Sequence, residues 1–317
     1  MDKRTRTPDR ADEFMTVDGG RLRTLHPGEM VNLGGRSTNE LLITQASAPT
    51  DANVNIDFAS QWLDLARGAH SNGLSPVVSK RVVGDSTFNA IRLNLVRGDI
   101  NANDNGRSLV FDDGAKLTSE SGMLLVGRDT GSADGDTTPG GNVFLYNGTL
   151  DLDGTNNNRE AIIQNDSGNN LFVRTTIEAS QGLTKGGQNN VYLDAPNQLG
   201  GTVSIPQNLL IVRHSGALDG ANLVKISGDG QLYLEGSTVI TNIDLLNTPQ
   251  SYGKRALVSN PGHNLWGGDI LIDNVDNQGI AAHDIRIGAG INNRNATLTL
   301  TGDIGRTDKG MTSDIFF

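Results

Sequence analysis

Short β-prone runs recur along most of this chain, each closed off by Gly, Asn or Asp, and no other feature restricts its fold as strongly. Ile91-Arg92-Leu93-Asn94-Leu95, Met123-Leu124-Leu125-Val126, Val143-Phe144-Leu145-Tyr146 and Leu171-Phe172-Val173 are the first of them. Residues 191–193, 203–205, 209–212, 223–226, 232–234, 270–272, 285–287 and 298–300 continue the series. Each run is too short for a helix of ordinary length, whereas β-branched and aromatic residues between turn formers suit strands. The 40 glycines among 317 residues supply corners, together with many Asn and Asp, because these types accept left-handed backbone or satisfy it locally.

Strands at such close spacing fit either a sandwich or a solenoid. A single sandwich rarely needs this many strands. Aromatic residues make up only 4% of the chain, so a core must be built from Leu, Ile and Val. A slender interior of stacked aliphatic ladders suits that composition, and the expectation is an all-β chain folded as a parallel β-helix, or β-solenoid. The period-two rule turns Val203 and Ile205 inward and Ser204 outward.

Three regions are expected. Residues 1–15 are polar, carry Pro8 and read as a flexible tail. Residues 16–85 form an N-terminal cap or strand region, whose first part, 16–50, contains Leu22, Leu25, Val31, Leu33, Leu41, Leu42 and Ile43, enough to supply strands. Within it, Phe58, Trp62 and Leu65 stand at helical spacing behind Asp57, which predicts a short helix. Residues 86–317 form the solenoid proper. Asp303-Ile304-Gly305-Arg306-Thr307-Asp308-Lys309-Gly310 opens a unit that the chain does not finish, which predicts an open edge and end-to-end association of copies.

A formal net charge of −10 argues against a nucleic-acid grip, which needs a concentrated Lys/Arg surface. Without cysteine, disulfides, thiolate metal sites and Cys nucleophiles are excluded. The first residues carry charges with no apolar stretch behind them, unlike a secretory signal, and no segment reaches the roughly 20 apolar residues of a membrane helix. Either the chain stays inside the cell, or its export signal lies outside this sequence.

Chemistry is sparse. His26, His70, His214, His263 and His283 are isolated from one another, which predicts loop histidines rather than metal ligands. There is no Gly-x-Ser-x-Gly elbow and no phosphate-cradling loop. Asp151 with Asp153, and Asp269 with Asp273, are spaced to share one side of a strand, as glycosidase carboxylates would; a solvated face is the stronger expectation. Asn101-Ala102-Asn103-Asp104-Asn105-Gly106 with Asp112 loosely follows a calcium loop, and Asp129, Asp134 and Asp136 could gather the same ion; turns are expected at both. Arg97-Gly98-Asp99 has the integrin tripeptide, and Asn147-Gly148-Thr149 and Asn295-Ala296-Thr297 have the glycosylation sequon. No catalytic, cofactor-binding or metal residue is assigned, and structural Ca2+ is the one ion the loops could take.

Between 182 and 218 certain phrases return: Gly182-Leu183-Thr184-Lys185-Gly186, Val191-Tyr192-Leu193, Gly200-Gly201-Thr202-Val203 and Ser215-Gly216-Ala217-Leu218. This stretch resembles the autotransporter-associated β-strand repeat, with partial echoes at 223–234, 264–270 and 296–304. The resemblance implies a right-handed parallel β-helix of an extracellular or cell-surface bacterial passenger. It implies no catalytic residue. A structural or adhesive protein of a stalk, filament or matrix is therefore expected, with surface carbohydrate as an outside partner; a phage tail fibre or tailspike-like module that binds or cleaves polysaccharide is the alternative.

Overall fold

The computed structural model describes residues 15–18, 21–24, 29–33, 41–57, 80–95, 107–128, 142–155, 159–250, 255–273, 285–289, 295–306 and 315–316. Among these there is no α-helix, and hence none long and apolar enough to cross a membrane. The helix expected after Asp57 falls in 58–79, outside the described residues.

The chain winds between two long parallel sheets. The first face runs from Met30–Leu33 through Asn53–Asp57, Ala90–Leu95 and onward to Ile304–Arg306, eleven strands in sequence order. The second runs from Leu41–Ile43 to Ile315–Phe316, and its strands alternate along the chain with those of the first. Shorter strands make a third face: Ser86–Phe88, Lys116–Ser119 and Gln198–Leu199, then Val239–Ile240, Gly262–Trp266 and Ala296–Leu300. The only antiparallel pair among the described residues is Met15–Asp18 with Arg21–Thr24. Parallel neighbours one turn apart are the mark of a solenoid, as expected of this chain. Strands from within 16–85 join the same sheets, since Asn53–Asp57 pairs with Ala90–Leu95 and Leu41–Ile43 with Lys80–Val82.

Coil length is regular in the middle and longer at both ends. Leu183 lies opposite Val203, Val203 opposite Val224 and Val224 opposite Leu245, steps of 20, 21 and 21 residues. Ile91 to Leu124 takes 33, and Ile270 to Ile304 takes 34.

Alternation decides what fills the interior. Ala161, Leu183, Val203, Val224, Leu245 and Ile270 form one inward column with at most 1% exposure each, while Ser204 between buried Val203 and Ile205 faces out. Removing such a side chain from water is worth about 1.5–3 kcal/mol each, so the stack supplies its own driving force. The interior is not wholly aliphatic. Phe88, Phe111 and Trp266 are also fully buried.

Corners need particular residues. In Val143–Asp151 the second face bends into the third at a bulge, where Asn147 and Gly148 have φ of 61° and 50°. A Cβ on Gly148 would lie 2.5 Å from both the Ala115 carbonyl oxygen and Phe111 Cβ, so only glycine fits under the preceding coil. Buried asparagines stitch other corners. Asn197 Oδ1 accepts from the Ile177 N–H at 2.8 Å while its Nδ2 donates to the Ala217 carbonyl at 2.8 Å, tying three successive coils. Asn165 Nδ2 donates to the Asn190 carbonyl of the next coil, and Asn264 accepts the Thr238 N–H and donates to the Leu234 carbonyl of the preceding one, at 0% and 1% exposure, which satisfies backbone groups that a buried corner would otherwise orphan.

Candidate functional site

The outer side of the second face carries the densest set of interacting side chains. Alternation buries Val143, Leu145, Leu171, Val173, Val191 and Leu193 and sends their neighbours outward. Parallel register then aligns those neighbours coil on coil: Phe144 with Phe172, Phe172 with Tyr192, Tyr192 with Ile211 and Ile211 with Tyr233. Phe144 and Phe172 stack at 4.7 Å between centroids, and Phe172 and Tyr192 at 4.3 Å.

Beside this column runs a charged one. Arg174 donates to the Tyr146 hydroxyl at 3.0 Å and to Asp194 at 3.1 Å, and Arg213 grips the same carboxylate with Nε at 2.7 Å and a terminal nitrogen at 2.5 Å. Asn260 Nδ2 bonds Glu235 at 2.7 Å farther along. The guanidinium of Arg213 also lies 5.2 Å from the Phe172 centroid and 4.7 Å from that of Tyr192. Burial works against the Arg213 charge, but the Asp194 hydrogen bond and the charges of Asp194 and Glu235 outweigh it and hold the group above its ordinary pKa. Burial and the Glu235 charge push the Tyr192 phenol up.

Phe172 is covered on both sides by other rings, so it shows an edge rather than the open face on which a sugar ring stacks. The charges alternate in sign and close on one another, which stiffens successive coils against sliding.

The sequence-selected carboxylates Asp151, Asp153 and Asp269 each accept a hydrogen bond from a backbone N–H. Asp151 Oδ1 accepts the Asp153 backbone N–H at 2.9 Å, and Asp153 in turn accepts from the Ser180 N–H and hydroxyl at 2.5 and 3.0 Å. The true neighbour of Asp151 is Glu178, opposite it on the next coil, with Lys116 Nζ 2.6 Å from Glu178 and 3.9 Å from Asp151. That hydrogen bond to Glu178 leads the causes that raise the Lys116 pKa. Sequence spacing could not reveal this trio, because its members are brought together only by coil register. Asp269 accepts the Asp303 N–H at 2.9 Å and donates its own N–H to Asp244 at 3.0 Å, a column of carboxylates that caps successive coils. Asp273 follows four residues later, beyond Ile270–Ile272, about 13 Å along an extended chain.

Other selected residues are dispersed. The exposed His214 accepts the Gly216 N–H at 3.0 Å, and His263 Nδ1 lies 2.9 Å from the Thr297 hydroxyl, in a sequon. His26, His70 and His283, the tripeptide 97–99, the loop 101–106 and Asp129, Asp134 and Asp136 lie outside the described residues. Asp112 pairs with Arg81 instead. Among the described residues no three or more His, Cys, Asp or Glu gather as a metal site.

One topological pattern was not legible from residue types. Between consecutive strands of the described residues from 30 to 316, every interval longer than ten residues joins a first-face strand to a second-face strand: 58–79, 96–106, 129–142 and 273–284. In the middle coils the same corner closes tightly, through 187–190, 206–208 and 229–230. The described strands therefore place the ends of these four intervals on one edge of the solenoid, and segments anchored on a rigid scaffold are where binding functions concentrate.

Compared with protein-family models, curated proteins and solved structures, the chain matches none.

Proposed function

We propose that this chain is a non-enzymatic scaffold of an extracellular bacterial surface, filament or matrix, whose stacked coils give stiffness and whose long corner intervals make the contacts. The placement of those four intervals on one corner carries this proposal. The self-contained aromatic and charged columns support it, because they spend their polar groups on neighbouring coils rather than on a cleft. The repeat-like phrases at 182–218 also support it, for they coincide with the most regular coils and fit a surface passenger. Surface carbohydrate is the outside partner that this scaffold would meet.

Self-association belongs to the same proposal. Val31 stands in an inward column opposite Val54, yet it is 38% exposed in the first coil of the stack. A second copy that continued the parallel ladder at Met30–Leu33 would cover it.

Shortening the intervals 96–106 and 129–142 to the length of the turn 187–190 tests the proposal. The variant should keep its β circular-dichroism spectrum and melting midpoint, and lose binding to arrayed bacterial surface polysaccharides. A folded variant that binds as well as the parent contradicts it.

A further inference from the structure

Lys185 is a fully buried amine inside an otherwise apolar ladder. The alternation that turns Leu183 inward and Thr184 outward turns Lys185 inward too, opposite Ile163 of the preceding coil, and its exposure is 0%. Its Nζ donates to the Gly187 carbonyl at 3.0 Å and to the Gln207 carbonyl at 2.7 Å. These two acceptors sit in successive turns of the corner, 187–190 and 206–208. Gly187 has φ of +85°, and a Cβ there would lie 2.4 Å from the Asn165 carbonyl oxygen, so glycine is required for the turn that brings its carbonyl onto the amine.

A neutral amine has two N–H bonds and finds two acceptors here. An ammonium has a third N–H and a full charge, and no further acceptor among the described residues. The surrounding ionisable groups do not supply one. Asp166, after Ala161–Asn165, accepts from Gln164 Nε2 at 2.6 Å and from the Gln188 N–H at 2.9 Å. Thr202–Ile205 and Leu209–Val212 contain no ionisable side chain, and Tyr192 and Arg213 belong to the outer columns.

We propose that Lys185 is a pH-operated latch: as a neutral amine it closes the turns 187–190 and 206–208 over the interior, and its protonation releases them. Burial, opposed only by the more distant Asp166 charge, lowers its pKa from 10.5 to about 7. The sign follows. An opened coil keeps the lysine protonated up to 10.5, whereas the closed coil sheds the proton near 7, so opening between these values takes up a proton. Closure therefore strengthens as pH rises through that window, by up to about tenfold per pH unit, and its pH dependence vanishes below the window.

Amide hydrogen exchange of the whole chain, corrected for intrinsic rates, reads the latch directly. Protection of residues 186–193 and 203–212 should rise by up to about tenfold per pH unit between pH 7 and 9 relative to 223–245, and Lys185→Met should abolish the rise. The same rise in the variant overturns the proposal. Should Lys185→Met fail to fold, the Nζ nitrogen shift of wild-type protein decides: a midpoint near 7 supports the latch, and one near 10.5 overturns it.

Discussion

Phe172 and Tyr192, on neighbouring coils, stack with ring centroids 4.3 Å apart and planes 18° from parallel, on the outside of the solenoid. Phe172 is also stacked on its other side by Phe144, so it is the middle ring of three. Phe172→Ala breaks both contacts and should cost about 1–3 kcal/mol, two stacking terms of roughly 0.5–1.5 kcal/mol each. Urea titration of the variant measures the loss, and an unchanged midpoint would show that the column is ornamental.

Much of the strand content was legible because alternation is a local property. The runs at 191–193, 203–205 and 209–212 coincide with observed strands, and Val203 and Ile205 face inward as the period requires. The columns were not legible. Phe144, Phe172 and Tyr192 are separated by 28 and 20 residues, and an uneven coil length hides such a ladder from any fixed repeat. Lys185 and Asn165 were missed for the opposite reason: polar residues in alternating runs are expected outside, and only the carbonyls of adjacent turns make an inward position tolerable. Likewise Glu178 pairs with Asp151 by register and not by spacing.

Val203 and Ser204 are adjacent in sequence and opposite in environment. Val203→Asp places a carboxylate between Leu183 and Val224 and should destabilise the chain by several kcal/mol, on the order of 3–5. Ser204→Asp, outside and opposite Lys225, should stay within about 0.5 kcal/mol. Similar melting temperatures for the two variants would contradict the inward assignment.

Gly220 and Gly114 both have left-handed backbone, with φ of +86° and +73°, but differ in what surrounds them. A Cβ on Gly220 would lie 1.9 Å from the Leu199 carbonyl oxygen, whereas nothing lies within 4 Å of one on Gly114. Gly114→Ala should cost about 1 kcal/mol, from backbone strain alone, and Gly220→Ala clearly more. Chemical denaturation of the pair checks the order, and a reversal would mean that coil contacts do not limit these turns.

If Val31 is the contact through which copies continue one another's ladder, Val31→Arg should abolish association without loss of the fold. Light scattering against concentration, with negative-stain images, measures this. A wild-type chain that stays monodisperse and monomeric at high concentration removes end-to-end stacking from the account.

The claim that this solenoid scaffolds rather than catalyses is tested most directly by incubating it with bacterial surface polysaccharides and following both retention and the release of new reducing ends or unsaturated products. The account predicts retention at most, no product, and no change in Asp151→Asn or Asp269→Asn. Product release that either substitution abolishes would contradict it and favour a tailspike-like enzyme.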